Sequence, residues 1–125
     1  MIRVNLTNAA ISDSDLTAIV MTYATAPGAN ITQSRLWDAN MSHANLAGAT
    51  LSHSDMARLL ARGALLESVD FKGANLSNAN LQNADLSGAD FTGAVLENAH
   101  LPGANTTGAT FEGATLPPGL KVTPN

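Results

Sequence analysis

The sequence predicts an all-β solenoid, a rod of short repeats that stack on one another. From Leu6 to Leu116 every fifth residue is apolar, with Thr106 as the single exception. A small residue stands two positions before most of these 23 centre residues, alanine before 16 of them and serine before three more. A period of five fits neither an α-helix nor an isolated β-strand, so each repeat must bury its centre residue by stacking on the next coil.

The sizes of the centre residues indicate four repeats per coil. If one coil takes twenty residues, centres twenty positions apart stack in one column and should match in size. Phe71, Phe91 and Phe111 then share a column, which three or five repeats per coil would scatter. The chain would make about five to six coils. The core side chains expected inside the tube are Ile31, Leu51, Phe71, Leu76, Leu81, Leu86, Phe91 and Phe111.

The repeat is clearest from Ala74 to Gly93, which reads Ala-Asn-Leu-Ser-Asn, Ala-Asn-Leu-Gln-Asn, Ala-Asp-Leu-Ser-Gly, Ala-Asp-Phe-Thr-Gly. In these residues the chain resembles the pentapeptide-repeat family, whose consensus is A-[DN]-L-x-x. The resemblance extends over residues 4–116. It implies a right-handed quadrilateral parallel β-helix, with one pentapeptide on each side of a coil.

Corners between the sides explain the last residue of each repeat. A tight turn of this kind needs a positive φ, which Gly and Asn adopt most readily. Such residues stand two positions after the centre through much of the C-terminal half, among them Gly73, Asn78 and Gly88. The residues directly before and after the centre are often Asn, Asp, Ser or Thr, and we expect them to face solvent.

We expect one domain over residues 1–116, followed by a tail over residues 117–125. The tail begins with two prolines, which cannot continue a hydrogen-bonded ladder, so it caps the last coil or frays.

Two stretches depart from the regular pattern. Residues 54–63 fit either an unbroken coil or a short helical excursion over residues 55–62, with Gly63 as its stop. Residues 17–28 keep the phase of the repeat, although they contain one oversized and one undersized residue. Both stretches are open between a regular coil and an excursion.

Composition narrows the function classes. The 125 residues carry a formal net charge of −4 and include no cysteine, so no disulfide framework or thiolate chemistry is expected. The chain shows neither the apolar run of a signal peptide nor the roughly 18 consecutive apolar residues of a membrane span. We therefore expect a cytoplasmic protein without membrane contact. Direct binding of nucleic acid is disfavoured, because phosphate contacts need a basic surface.

The sequence shows no arrangement typical of catalysis. His43 and His53 lie half a coil apart and His100 lies at a third position, so the three cannot converge on a metal ion. Asp70 and Asp90 stack one coil apart, but on a flat wall rather than in a cleft. We expect no enzyme activity, no catalytic residue, no metal site and no cofactor.

Outward side chains offer better candidates for a binding site. Trp37 follows a centre directly and should point outward near Arg35. Tryptophan and arginine are both common at binding hot spots. A structural alternative is that the indole lies flat over Ala57. Leu60 and Leu65 form an exposed apolar patch in an unbroken coil, or pack a helical excursion against the tube. The leading hypothesis is a non-catalytic, rigid protein-interaction scaffold.

The acidic residues support an alternative hypothesis. Residues 69–116 carry a net charge of −4 and the rest of the chain is neutral, with Asp70, Asp85 and Asp90 as acidic candidates. The family resemblance implies a DNA mimic, because some pentapeptide-repeat proteins bind DNA gyrase or topoisomerase IV and confer quinolone resistance. It also implies a homodimer through the C-terminal coil, provided that the tail leaves this coil uncovered.

Overall fold

The computed structural model describes residues 3–120. Single-residue parallel bridges join successive coils, the first between Asn5 and Thr25 and the last between Val95 and Thr115. Each bridge joins residues twenty apart, and each pentapeptide contributes one bridge and one turn. Four pentapeptides therefore complete one coil. The described residues form no strand longer than these bridges and no α-helix, hence none that could span a membrane.

The rod has four faces, each built of every fourth pentapeptide and each named here after a feature of its column. A repeat runs from two residues before its centre to two residues after it. The phenylalanine and methionine faces lie on opposite sides, with the serine and leucine faces between them. The centres are Ile11, Ile31, Leu51, Phe71, Phe91 and Phe111 on the phenylalanine face; Leu16, Leu36, Met56, Leu76, Leu96 and Leu116 on the serine face; Met21, Met41, Ala61, Leu81 and Leu101 on the methionine face; Leu6, Ala26, Leu46, Leu66, Leu86 and Thr106 on the leucine face.

Backbone hydrogen bonds tie most repeats both to the next coil and to their own turn. The Leu76 N–H donates to the Val95 carbonyl at 2.7 Å, and the Asn78 N–H donates to the Glu97 carbonyl at 2.9 Å. Within the turn, the Ala79 N–H donates to the Leu76 carbonyl at 3.0 Å. The ladder satisfies the backbone inside the rod, so only the two ends are open edges.

Centre side chains fill the rod in continuous columns. The rings of Phe71 and Phe91 stack with centroids 4.9 Å apart, and those of Phe91 and Phe111 with centroids 5.0 Å apart. Phe111 is only partly buried because it lies in the last full coil. The other expected core residues are all buried: Ile31, Leu51, Phe71, Leu76, Leu81, Leu86 and Phe91.

The two irregular stretches continue the coil. Residues 54–63 keep the alternation of turn and bridge, so the helical alternative for residues 55–62 is wrong. No excursion is needed, because Leu59 is buried at the small-residue position and Ala61 is buried at the centre. The large and small residues exchange places and still fill the tube. Residues 17–28 likewise form a regular coil.

Every corner places its last residue in the left-handed region. The φ at this position is positive in all repeats from Asn8 to Gly113. It is positive even at Ala18 and Arg58, both with φ of 59°. Such a conformation costs a residue with a Cβ about 1–2 kcal/mol. Gly and Asn are thus preferred at the corner, but the corner geometry is adopted whatever residue occupies it.

Pro118 occupies the next corner position, and its ring ends the coil. Proline fixes φ near about −65°, so Pro118 cannot adopt the left-handed conformation. Thr115 is accordingly the last residue whose N–H donates to the preceding coil, whereas the Leu120 N–H closes a local turn on the Pro117 carbonyl. The remainder of the expected tail, residues 121–125, lies outside the described residues.

A column of buried serines replaces the direct turn bond on the serine face. The Ser34 hydroxyl accepts from the Ser14 N–H at 3.1 Å and donates to the Ile11 carbonyl at 3.1 Å. The Ser54 hydroxyl bridges the Ser34 N–H and the Ile31 carbonyl in the same way, at 3.1 and 2.8 Å. Each hydroxyl satisfies two backbone groups of the coil below, partly buried at Ser34 and buried at Ser54, which fixes the stacking register of three coils.

Truncation of the middle phenylalanine tests the column. Phe91→Ala should lower the free energy of unfolding by about 3–5 kcal/mol, because it removes a buried ring and leaves a cavity between two others. Phe111→Ala is the matched control and should cost less, since this ring is already partly exposed. Urea unfolding followed by circular dichroism measures both losses. A loss under about 1 kcal/mol for Phe91→Ala would contradict the stacked column.

Glycine substitutions at two exposed alanines test the corner geometry. Ala18→Gly should raise the free energy of unfolding by about 1 kcal/mol, because glycine adopts the φ of 59° without a Cβ clash. Ala10→Gly should lower it by about 0.5–1 kcal/mol, because Ala10 bridges Asn30 in extended backbone and glycine there only adds entropy to the unfolded chain. Thermal unfolding of the two variants measures both changes, and shifts of the same sign would exclude corner strain.

Candidate functional site

An Asn or Asp before the centre caps the backbone of its own repeat. Oδ1 of Asn75 accepts from the Ser77 N–H at 3.0 Å and from the Ser77 hydroxyl at 2.6 Å. Solvent exposure alone therefore does not explain these polar positions, and the recurring Asn/Asp-x-Ser/Thr pattern was the signal for the cap. Further caps on the N–H two residues on come from Asn5, Asp15, Asn30, Asn40, Asn45, Asp55, Asp70, Asn80, Asp85, Asp90 and Asn105.

Three prolines fit the same capping pattern, because they stand at the position whose N–H would be capped. Pro27, Pro102 and Pro117 each follow a centre directly, where a capped N–H would otherwise stand. In all three repeats the residue before the centre is neither Asn nor Asp. Because proline has no N–H to donate, these repeats need no cap. Residue choice on both sides of the centre thus follows from hydrogen bonding within the repeat.

Leu60 stands between two capping asparagines and caps nothing. Its bridge partners Asn40 and Asn80 each accept the N–H two residues on, at 3.1 and 3.0 Å. The Arg62 N–H, by contrast, has no acceptor within residues 3–120. The Leu60 side chain is 44% exposed, so the leucine forgoes a backbone hydrogen bond and gains only partial burial.

Leu65 shows the same departure on the leucine face. Its bridge partners Asn45 and Asp85 cap their repeats at 3.0 Å each. The Glu67 N–H has no acceptor in the described part of the chain, and Leu65 is 43% exposed. Leu60 and Leu65 flank one corner of the same coil and are named the leucine edge below.

Trp37 is held in place yet remains accessible. The ring is 39% exposed, and Cζ of Arg35 lies 5.2 Å from its centroid in a cation–π contact. Arg35 also lies 3.7 Å from Asp15 of the coil below. At the next corner, Arg58 donates two hydrogen bonds of 2.7 and 3.2 Å to Asp38, which hold the pKa of Asp38 below its ordinary value. Sequence reasoning anticipated neither ion pair.

The three acidic candidates are divided between two faces. Asp70 and Asp90 are bridge partners on the phenylalanine face, whereas Asp85 lies on the adjacent leucine face. Lys72 lies 3.6 Å from Asp90, so part of this negative charge is paired. The structure therefore leaves a broken acidic strip rather than a continuous one.

Hydroxyl groups stabilise two of these carboxylates. The Ser87 hydroxyl donates to Asp85 at 2.7 Å and holds the pKa of Asp85 below its ordinary value, an effect to which the Ser87 N–H adds. The Thr92 hydroxyl lowers the pKa of Asp90 in the same way. A hydrogen bond to the ionised carboxylate favours that form. Both aspartates thus contribute to the fold as well as to the surface charge.

Two of the three histidines, His43 and His53, lie at separate corners, whereas His100 lies directly before a centre. The rings of Tyr23 and His43 stack with centroids 5.0 Å apart, and Cζ of Arg3 lies 5.6 Å from the Tyr23 centroid. His53 lies at a different corner of the coil. Within residues 3–120, no group of three or more His, Cys, Asp or Glu side chains could hold a metal ion.

A shallow groove marks the C-terminal end. Residues 117–120 lie beside residues 99–102 and leave a cavity of about 320 Å³ along the methionine face. Phe111 and Leu116, at the same end, are partly buried. A homodimer through this coil stays a prediction.

The lowered pKa values of Asp85 and Asp90 make stability depend on pH. In the unfolded chain these carboxyls take up protons near about pH 3.9, whereas in the folded chain they resist protonation. The free energy of unfolding should therefore hold from neutral pH down to about 4 and fall below it, towards the lowered pKa values. In the Asp85→Asn/Asp90→Asn variant, which keeps both caps, the fall should be shallower.

Urea unfolding at a series of pH values measures this dependence. Glu112→Gln is the matched control, because its carboxylate accepts no hydrogen bond from the described residues, and its profile should follow the wild type. Identical pH profiles for the double variant and the wild type would contradict the stabilisation of Asp85 and Asp90 by the Ser87 and Thr92 hydroxyls.

A family profile describing pentapeptide repeats, in eight copies, matches residues 1–38, 27–58, 61–93 and 89–117. The matched segments cover nearly the whole chain and contain the repeats described above. Proteins of this family fold as right-handed β-helices.

Solved structures show the same fold. A pentapeptide repeat protein (Rfr23) from the cyanobacterium Cyanothece 51142 is 25% identical, with a TM-score of 0.57 over 90% of this chain and 88% of that one. A pentapeptide repeat protein from the Arabidopsis thaliana thylakoid lumen is 30% identical, with a TM-score of 0.55 over 78% of this chain. The present chain spans 65% of the length of the Arabidopsis protein.

A form of QnrB1, a plasmid-mediated fluoroquinolone resistance protein, is 19% identical, with a TM-score of 0.48 over 93% of this chain and 76% of that one. Among curated protein sequences, none matches this chain. The five-residue repeat, the twenty-residue ladder and the matched profile together show that the chain belongs to the pentapeptide repeat family.

Proposed function

We propose that this protein is a non-catalytic, rigid scaffold that binds a protein partner through outward side chains in the middle of the rod. The leucine edge is the observation that carries the proposal. Leu60 and Leu65 stand where their bridge partners are capping Asn or Asp residues, and both remain more than 40% exposed. The fold gains neither a cap nor full burial from them. A residue that breaks a local rule without a structural gain points to function.

The backbone around the edge favours tight recognition. Coil-to-coil hydrogen bonds surround both leucines: the Leu60 N–H donates to the Ala39 carbonyl and the Leu65 N–H to the Ala44 carbonyl, at 2.9 and 2.8 Å. The side chains therefore project from a fixed frame. Little backbone ordering is required when a partner binds, which lowers the entropic penalty of association.

Trp37 and Arg35 extend the proposed surface onto the serine face. Exposed Trp and Arg are the residue types most often found at interface hot spots. The ion pair of Asp38 and Arg58 forms the corner between Trp37 and the methionine face, where Leu60 lies. A partner that spans this corner contacts both the indole and the leucine edge.

Binding to DNA gyrase or topoisomerase IV as a DNA mimic is a second candidate function. The favouring observation is that Glu67 and Asp85 on the leucine face neighbour Asp70 and Asp90 on the phenylalanine face. The pairing of Lys72 with Asp90 weakens the match to DNA, which carries one charge per about 1.7 Å of helix axis. This candidate therefore ranks below the scaffold.

Asparagine substitutions can remove the negative charge of the three aspartates without removing their capping hydrogen bonds. Asp70→Asn, Asp85→Asn and Asp90→Asn together remove three charges and keep the capping oxygens. If the protein mimics DNA, the wild type inhibits gyrase supercoiling, salt weakens the inhibition and the triple variant loses it. Supercoiling that is unaffected by wild-type protein at low salt would exclude this function.

Replacement of the leucine edge by asparagine tests the scaffold. Leu60→Asn/Leu65→Asn should change the free energy of unfolding by less than about 1 kcal/mol, because two new caps offset the lost partial burial. The same variant should no longer bind the protein partner. Urea unfolding measures stability. Affinity capture from a host extract, followed by titration of the recovered partner with purified variants, measures binding.

Thr50→Asn is the matched control for this experiment. It adds a capping residue on the phenylalanine face, opposite the methionine face, and should retain the partner. A partner that binds the double variant as tightly as the wild type would rule out the leucine edge. A loss of more than about 2 kcal/mol in the free energy of unfolding would assign the leucines a structural role instead.

A further inference from the structure

Exposed large apolar side chains gather on one side of the rod. Val20, Tyr23 and Leu60 belong to repeats of the methionine face, and Leu65 lies just past its corner. Val20 is 69% exposed, the highest value among the large hydrophobic residues that the structure describes. Trp37 lies on the serine face, close to the corner where the methionine face begins. The phenylalanine face, on the opposite side, carries no such side chain within residues 3–120.

The same side of the rod carries no acidic side chain in the part of the chain that the structure describes. All ten Asp and Glu residues of the chain lie on the other three faces. Arg62 stands exposed in the middle of the methionine face, and no carboxylate of residues 3–120 lies within ion-pair distance of it. Arg3 and Tyr23 form their cation–π contact at the corner of this face. In a chain of net charge −4, this is the one face on which the described residues place no Asp or Glu.

We propose that the methionine face docks an acidic amphipathic α-helix of a protein partner. The inference rests on the proposed scaffold function and names the chemistry of the partner. Apolar contacts would come from Val20 and Leu60, and the charge contact from Arg62. Complementary charge steers association and disfavours basic competitors.

The spacing of the apolar residues matches a helix that lies along the rod. Val20 and Leu60 are both bridge partners of Asn40, so they stand in one column, two coils apart. At the strand spacing this separation is roughly 10 Å. Residues seven apart on an α-helix are separated by about 10.5 Å, so apolar side chains one heptad apart meet both contacts. Asn40 does not interrupt them, because its side chain is turned back to cap Ser42 at 3.1 Å.

Two other occupants fit less well. A second copy of this chain offers an acidic phenylalanine face, but that face has no large exposed apolar residue in its described part to meet Val20 and Leu60. Nucleic acid offers negative charge, but within residues 3–120 Arg3 and Arg62 are the only arginines or lysines on the methionine face, enough for about two phosphate contacts. Affinity for nucleic acid depends on many such contacts.

A displayed peptide library tests the proposal. Its helical 21-residue members keep leucine at heptad positions and vary Asp, Glu, Lys, Arg, Gln and Ser elsewhere, and they are selected against the immobilised full-length protein. Asp and Glu should be enriched over Lys and Arg. A synthesised winner should bind the wild type about tenfold more tightly than Leu60→Asn or Arg62→Glu, and more weakly at high salt. Thr50→Asn should bind it like the wild type.

The outcomes separate this inference from the scaffold proposal. Selection of basic peptides, or of peptides that bind Leu60→Asn and Arg62→Glu as tightly as the wild type, overturns the acidic helix and leaves the scaffold standing. A library without binders, while affinity capture recovers a partner that needs the leucine edge, also overturns the helix alone. Failure of both experiments overturns both. Binding of labelled single-stranded DNA that depends on Arg62 would assign the face to nucleic acid.

Discussion

Coil-to-coil hydrogen bonding in one fixed register is the constraint on which the rest of the rod depends. Because the N–H of each centre from Leu6 to Leu96 donates to a carbonyl of the next coil, equivalent side chains twenty residues apart stand above one another. The residue type at each position is therefore constrained by the residues above and below it in the same column. The stacked rings of Phe71, Phe91 and Phe111 are one result, and the hydroxyl column of the serine face is another. The left-handed corner is the local geometry that keeps this register from repeat to repeat.

Most of the fold could be predicted because its determinants are local and repeated many times. The period of five and the phenylalanine column were enough to indicate the register. Residues 54–63 stayed ambiguous because they satisfy both a helix-capping pattern and a repeat with its large and small residues exchanged. The coils on either side impose the register there, and no local pattern contains that information. The hydroxyl bridge at Ser34 was not foreseen, since it joins atoms of two coils.

The candidate site was less accessible to sequence reasoning. Leu60 and Leu65 could be found as outward apolar residues from the period alone. Their departure from the capping pattern became visible only through the hydrogen bonds of neighbours such as Asn40 and Asn80. Charge shows the same limit. When charges are summed along the chain, the N-terminal half is neutral and the C-terminal half is acidic. When the Asp and Glu residues of the described part are assigned to the four faces, the methionine face has none and the other three faces share them.

Pro118 has a consequence for the molecule among its neighbours. The end of a β-helix is an open row of N–H and C=O groups that invites edge-to-edge growth. At the last corner of the serine face, Pro118 offers no N–H and excludes the left-handed backbone that every earlier corner adopts. A coil from another molecule that stacked on this end would therefore lack a hydrogen-bond donor and a matching backbone conformation at this corner. Proline at an exposed edge is a recurrent protection against fibre formation, and here it is built into the repeat position that closes the coil.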